Sequence, residues 1–512
     1  MNIAQIGLRW SLAMILLLAL STAQGASINS RLSLYSHHID AGFRITHPII
    51  SVNLLPDSGK ELVAIGVDDK HQRWLGVYAF DTEVKQYRQR VKQPLPNALF
   101  AFDISADNLE NSDALQALYF LSSDRLWTLK LHGNQVEFAP LMTVEPLILT
   151  SRIDFISRGR FVRDLNRDGL DDFIISSFNQ STLLIQQADN RYITQILPIQ
   201  PQMLLYANGA KYTEARLYFA DLNLDGRDDI VKVAEGEFEV YYQLDDGLFT
   251  VLANYLPVSL AISGQDWWNK RDAYGEALDQ SNLVYRKVEH LGDINHDGVA
   301  DMVVRYTKSS GVLDRVNDYE IYLGGKTKDK LQFAKVPSSV IRAEGTLTGF
   351  ELVDIDNDKV DEVLVSGFDI GVSQIIGALV SGSIDQDVHL FKSDASSRFA
   401  SKPNITKEVE LSFSLTSGQT GQPVVTFADI DGDGYQDLLL SGGEQALTVH
   451  LGEPSDSLFN RNDETLKLQL PRDGEMLTVS DLNHDGKDEL IIKYGREDRQ
   501  ALQQQFMVIM AQ

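Results

Sequence analysis

Six stretches of this 512-residue chain repeat one nine-residue pattern in a single register: DLNRDGLDD from Asp164, DLNLDGRDD from Asp221, DINHDGVAD from Asp293, DIDNDKVDE from Asp354, DIDGDGYQD from Asp429 and DLNHDGKDE from Asp481. Oxygen-bearing side chains recur at positions 1, 3, 5 and 9, and glycine stands at position 6 in every copy but the fourth, which has Lys359. Carboxylates crowded this way repel one another unless a cation sits among them. Calcium, a hard cation, takes about 6 to 8 oxygen ligands, and a tight turn can aim alternate side chains at one centre. The expected side-chain ligands are Asp164, Asn166, Asp168 and Asp172 in the first copy, Asp221, Asn223, Asp225 and Asp229 in the second, and Asp293, Asn295, Asp297 and Asp301 in the third. They continue with Asp354, Asp356, Asp358 and Glu362, then Asp429, Asp431, Asp433 and Asp437, then Asp481, Asn483, Asp485 and Glu489. Position 7 is expected to give a main-chain carbonyl, which leaves Leu170, Arg227, Val299, Val360, Tyr435 and Lys487 free to differ. Turn-forming tendency of Asp, Asn and Gly explains one such loop but not six in the same register. Magnesium, which demands a stricter octahedron and keeps more water, fits less well, so about six calcium sites are expected.

The flanks decide the architecture. A helix–loop–helix calcium site needs an acidic residue at position 12, where this chain has Ile175, Lys232, Val304, Val365, Leu440 and Ile492. Short apolar runs such as GRFVRD and PVVTFAD precede the loops, and DFIISSF or DLLLSGG follow, so each loop joins two β-strands. Extending one unit gives GRFVRDLN, DFIISSF, STLLIQQ and RYITQILPI, four strands with turn residues between them, which is the composition of a propeller blade. Successive loops begin 57, 72, 61, 75 and 52 residues apart, so some connections carry insertions. Two degenerate copies precede them: Asn53, Asp57 and Glu61 hold positions 1, 5 and 9, and Asp103 opens a stretched version. The expectation is an all-β chain, a β-propeller of four-stranded antiparallel blades, eight in number with seven as the alternative. The segment SRLSLYSHH is expected to supply the last blade's missing strand and close the ring by pairing the two ends.

These loops resemble the FG-GAP or VCBS repeat family, in which DxDxDGxxD calcium loops sit within propeller blades, as in the head of integrin α subunits. The resemblance covers about residues 30 to 512, with crisp motifs from Asp164 onward. It implies calcium loops between the first and second strands of a blade, on one rim, with partner contacts often made from the opposite rim. The family is functionally broad, so fold does not settle function.

Export is expected from residues 1–25: one basic residue, Arg9, an apolar run from Trp10 to Leu20, then small residues up to Ala23 and Gly25, in the order of a signal peptide. That run is about half of what a membrane-spanning helix requires. Residues 26–512 are then one propeller domain, periplasmic, secreted or at the cell surface, with no membrane span after cleavage and a monomeric ring. The absence of cysteine excludes disulfides, thiolate–zinc sites and cysteine nucleophiles, and leaves bound metal as the cross-link. A formal charge of -26 argues against nucleic acid as partner.

On the opposite rim, the long connection Ser263 to Asn282 carries Trp267, Trp268 and Tyr274, expected either to form a protein- or polysaccharide-binding platform or to fold back and plug the ring. A second long connection is expected near Thr307 to Asn317. No HExxH, GxSxG or GxxxxGK[ST] pattern occurs, and no catalytic residue is assigned. The primary expectation is a protein- or glycan-binding adhesion module, the alternative a hydrolase or lyase of an extracellular polysaccharide using paired carboxylates.

Overall fold

The computed structural model describes residues 32–511 except 57–58, 106–113, 149–153, 207, 312–313, 369–382, 395 and 415–418. The expected signal peptide and the degenerate-loop residue Asp57 lie outside the described residues. Within them every regular element is a β-strand except two 3-10 turns, Trp267–Asn269 and Gly474–Met476. No helix there is long and apolar enough to cross a membrane.

Strands follow the repeat. In the unit around the first loop, Val162–Arg163, Asp172–Ser176, Ser181–Gln186 and Tyr192–Leu197 pair in sequence order as one antiparallel sheet. The same order recurs in Leu217–Ala220, Asp229–Val233, Glu237–Tyr241 and Asn254–Pro257, and in Val425–Ala428, Asp437–Ser441, Ala446–His450 and Glu464–Lys467. Two further units, starting at Leu283 and Thr346, are joined into one larger sheet by a single parallel pairing of Asn317 with Thr346.

Stacking of these sheets explains why the second strand of a unit reads as a continuous apolar run. Phe173 and Ile175 pack with Tyr119, Leu121 and Leu126 of the preceding sheet, whereas Ile174 packs with Ile230 and Tyr241 of the following one. Side chains that alternate between two faces, both covered, must all be apolar. The outer strand has a neighbour on one face only, and Gln86–Pro94 accordingly alternates between exposed and buried residues. Faces are shared in this way from each sheet to the next along the chain, and Leu62, Ala64 and Tyr78 of the first sheet share a cluster with Ile491, Phe506 and Val508 of the last. Stacked four-stranded antiparallel sheets are a propeller-like arrangement.

The two chain ends meet in one sheet. Leu34–Asp40 pairs antiparallel with Gln505–Ala511 from Leu34 opposite Ala511 to Asp40 opposite Gln505, and Gln505–Ala511 pairs on its other side with Glu489–Lys493. The N-terminal segment thus supplies the outermost strand expected of it. The stretch Thr307 to Asn317, expected as a long connection, is instead the extended end of a hairpin between Asp301–Gly311 and Asp314–Tyr322, in which Thr307, Ser309 and Asn317 are buried. Its β-branched and hydroxyl residues continue the ladder past the sheet's usual length.

Candidate functional site

All six loops fold alike. The carboxylate at position 1 accepts the amides of positions 5 and 6, as Asp164 does from Asp168 and Gly169 at 3.1 and 2.8 Å and Asp429 from Asp433 and Gly434 at 3.1 and 2.9 Å. The carboxylate at position 5 accepts the amide of position 7, as Asp485 does from Lys487 at 2.9 Å. Such a turn requires left-handed backbone at two places. Position 6 has φ of 79, 88, 81, 71, 89 and 82° at Gly169, Gly226, Gly298, Lys359, Gly434 and Gly486, and position 4 has positive φ at Arg167, Leu224, His296, Asn357, Gly432 and His484. Residues with a Cβ pay a steric penalty there. Replacing Lys359 by glycine is therefore expected to stabilise the protein by about 1 kcal/mol, read as a raised urea midpoint; an unchanged or lowered midpoint would contradict the loop geometry.

Position 9 is buried in every copy and has a second task. Asp172, Asp229, Asp301, Glu362, Asp437 and Glu489 are at most 2 % exposed. One oxygen of each accepts the amide of position 2, from Leu165, Leu222, Ile294, Ile355, Ile430 and Leu482, at 2.8–3.1 Å. In four copies ending in Asp the other oxygen accepts an amide beyond the third strand, from Gln186, Gln243, Gly324 and Gly452. In the copies ending in Glu the longer side chain reaches back into the loop: Glu489 receives the Asn483 amide at 3.4 Å, and oxygens of Glu362, Asp354 and Asp356 lie within 4.8 Å of one another. Burial pushes these acids up, to about 7 for Asp172, Asp229, Glu362 and Asp437, about 6 for Asp301 and about 8 for Glu489, and repulsion from the other loop carboxylates adds to it.

Whether a cation suits these loops is tested best where position 3 is Asp. Asp356 and Asp431 each have one buried carboxylate oxygen, Oδ1, with no hydrogen-bond partner, and Asp429, Asp431 and Asp433 form a second cluster within 4.8 Å. A buried carboxylate oxygen without a donor is costly, and an oxygen-seeking cation removes that cost. The donor set therefore fits calcium. The fourth loop carries two protein cations close by, Lys392 at 3.4 Å from Asp356 and Lys359 at 4.0 Å from Asp354.

The first degenerate copy keeps the position-9 contact, and Asp103, which opens the second, makes a different one. Glu61, 2 % exposed, accepts the amides of Leu54 and Leu55 at 2.8 and 3.0 Å, the position-9 contact without the rest of the loop. Asp103 accepts from Phe161 and Val162 at 2.7 and 2.9 Å and so ties its sheet to the next. The loops are also chained to one another. Gln436 donates to Ile355, Asp488 to Asp429, Lys60 to Leu482 and Gln116 to Asn53, all backbone bonds of 2.7–2.9 Å, while Arg167 pairs with Asp228 at 2.8 Å.

At the other end of the same strands lies the aromatic insertion. Gly292 and Asp301 pair beside the third loop, and Leu283 and Ser309 pair nine residues away, so the end of the insertion at Leu283 is about 30 Å of strand from the loop, while Asp266 within it reaches back to Lys287 and Arg305. The three aromatic candidates part company. Trp267 is buried and its ring lies under Arg315, Trp268 is 48 % exposed, and Tyr274 is 89 % exposed. Next to Trp268 lies a cavity of about 530 Å³ built from the first strands of three successive units, with Arg216 on one, Lys287, Glu289 and His290 on the next, and Thr348 and Phe350 on the third. Asp266 and Arg305 complete its polar lining. Sequence reasoning missed these charged residues, because they come from two successive units and the insertion between them and share no local pattern.

Residues 164–231, from the start of the first loop through the second, match the FG-GAP-like repeat family. The chain carries an FG-GAP-like repeat. That FG-GAP-like segment includes two of the six loops and the strands Asp172–Ser176, Ser181–Gln186 and Tyr192–Leu197 between them. No curated protein matches the chain in sequence. Among solved structures it is similar to an Agrocybe aegerita lectin that recognises non-reducing terminal N-acetylglucosamine, at 13% identity, 84% of this chain, 96% of that chain and a TM-score of 0.37. It is also similar to the dihydro-heme d1 dehydrogenase NirN, at 11% identity, 83% and 67% coverage and a TM-score of 0.36, and to the V. cholerae biofilm matrix protein Bap1, at 11% identity, 81% and 88% coverage and a TM-score of 0.28. Likenesses this distant bear on neither ligand nor chemistry.

Proposed function

We propose that this chain is an exported, calcium-stabilised β-propeller that acts as a binding module for a glycan or protein ligand. The proposed ring has eight blades and closes where Leu34–Asp40 joins Gln505–Ala511. In support, face-sharing clusters run from the first sheet to the last and back to the first, and the Lys60 to Leu482 bond joins the last loop to the first degenerate one. Calcium at about six loops, held through positions 1, 3, 5, 7 and 9, pins the turn between the first two strands of each blade, so that binding energy becomes folding energy. The protein is proposed to be monomeric and to reside in the periplasm, in the medium or on the cell surface.

The observation that carries the binding assignment is the cavity beside Trp268, which falls within the usual ligand-pocket range of about 300–1,000 Å³. An enzymatic reading, a hydrolase or lyase acting on extracellular polysaccharide, would need a carboxylate free to move a proton. Asp266 and Glu289, the carboxylates of the cavity, are each engaged by more than one cation.

Immobilised protein is expected to retain a defined ligand in calcium, release it in chelator and leave it uncleaved; cleavage products would favour the enzyme. Asp431→Ala is expected to lower bound calcium by one ion per chain, counted by elemental analysis, with the melting temperature reduced by only a few degrees. Unchanged stoichiometry would remove that loop from the calcium set.

A further inference from the structure

Five charged side chains meet in the cavity beside Trp268, three cations and two carboxylates. Lys287 lies 3.2 Å from both Asp266 and Glu289, and Arg305 pairs with Asp266 and, at 3.3 Å, with Glu289. Arg216 pairs with Glu289 at 3.1 Å. Lys287 and Arg305 are 10% and 13% exposed, so their positions are fixed by the pairs around them. Arg216, at 42%, stands at the rim, where its Nη1 and Nη2 donate to the carboxylate and the main-chain oxygen of Glu289 at 3.1 and 2.7 Å. The Trp268 ring covers Arg305 at 5.2 Å and keeps about half its surface exposed. Arg271, from the same insertion, lies over Tyr206 at 5.0 Å, which carries the aromatic surface outward.

We propose that this cavity binds a saccharide bearing a carboxylate, a uronic acid unit, with Trp268 as its stacking platform and Arg216 as its carboxylate anchor. A sugar ring offers an apolar face to an aromatic ring and hydroxyls that both donate and accept. Fixed carboxylates and fixed cations, interleaved as they are here, satisfy both hydroxyl roles, whereas a surface of one sign satisfies one. The charge count selects among sugars. Three cations against two carboxylates leave one positive charge, in a chain whose net charge is -26. One positive charge matches one carboxylate. A planar guanidinium carries five N–H donors, and the two that Arg216 gives to Glu289 leave its Nε edge to meet a ligand carboxylate.

This inference rests on the binding-module reading, and the test separates the two. Purified full-length mature protein in calcium is titrated calorimetrically with oligomers of mannuronate, guluronate, galacturonate and glucuronate, and with the carboxyl-reduced form of each. At least one uronate oligomer is expected to bind about tenfold or more tightly than its carboxyl-reduced counterpart. Trp268→Ala is expected to weaken both forms about tenfold, and Arg216→Gln to remove the preference between them. Both positions are well exposed, and unchanged melting temperatures show that the variants fold. Absence of binding to every uronate oligomer, equal affinity for a uronate and its reduced form, or wild-type binding by both variants would overturn the proposal. Calcium-dependent retention of a protein or a neutral glycan in the absence of uronate binding would overturn it while leaving the binding module standing.

Discussion

Chelation is expected to lower the melting temperature by on the order of 15 °C, and millimolar calcium to restore it. A site filled at about a hundred times its dissociation constant contributes roughly 2.7 kcal/mol, and six sites contribute about six times that. An unfolding entropy of about 2.1 cal/mol/K per residue amounts to roughly 1 kcal/mol/K for a chain of this length, which converts the loss to that shift. Local geometry gives the reason for so large an effect. Without a cation, Asp431 keeps a buried oxygen with no donor, beside Asp429 and Asp433, and burial together with those neighbours raises its carboxyl above the ordinary range. The loops are also bonded to one another, so loosening one turn loosens the next: Asp488 of the sixth loop both donates to and accepts from the backbone of Asp429 in the fifth, at 2.7 and 2.9 Å. A melting curve indifferent to chelator would end the calcium assignment and leave the loops to be fastened by their own hydrogen bonds.

How far this site is legible in a sequence depends on what each residue type is forced to do. Donors at alternate positions and apolar runs on both sides leave few solutions, so the loops, the strands that flank them and the pairing of the chain ends could all be inferred. Position 4 could not be inferred. Its left-handed backbone is occupied by Arg167, Leu224, His296 and His484, none of them a residue type that advertises positive φ as glycine does. The buried acid at position 9 reads as a ligand in sequence, and only its two amide partners reveal it as a clasp that Glu61 retains in a copy with Leu55 at position 3. The hairpin of Gln202–Tyr206 and Gly209–Thr213 is an addition to the repeat that went unforeseen, although Asn208, a turn-favouring residue type, stands just before Gly209. Its counterpart, Gly324–Thr327 with Lys330–Phe333, turns through Lys328 and Asp329, both at positive φ, and gives no such warning. The cavity was illegible for another reason. Lys287 and Arg305 face each other across one hairpin, but Arg216 reaches Glu289 only because successive units lie side by side, and no spacing within one repeat encodes that.

Proline at Val508 is expected to unfold the protein. Val508 is fully buried at the middle of Gln505–Ala511, opposite His37 on one side and Ile491 on the other. Proline there removes a ladder donor and forces the strand apart from its partners, at a cost of about 3 kcal/mol or more. The damage spreads because the same strand joins the first sheet to the last: Phe506 meets Tyr78 edge to face at 5.1 Å, and Ile39, Leu62 and Ile491 share its cluster. Val508→Thr, which keeps the β-branched shape and the ladder, is expected to fold with a lower midpoint, whereas equal stability of the proline variant would show that the two ends do not hold the structure together. Acid probes the same seam more gently. The buried His37 ring accepts the Tyr87 amide on Nε2 at 3.1 Å, and burial, followed by the neighbouring His38, lowers its pKa to about 4. A folded pKa below the unfolded value means that unfolded chains take up the proton first, so stability present above about pH 6.5 is lost as pH falls toward 4. Protonation would also set a ring N–H against the Tyr87 N–H. From pH 7 to pH 5 this one ring is expected to withdraw about 2 kcal/mol of stability, read as the difference between the pH slope of the wild-type urea midpoint and that of His37→Gln, which can still accept that amide but does not titrate. A slope unchanged in His37→Gln would place the acid-sensitive group elsewhere and leave the seam's stability independent of this ring.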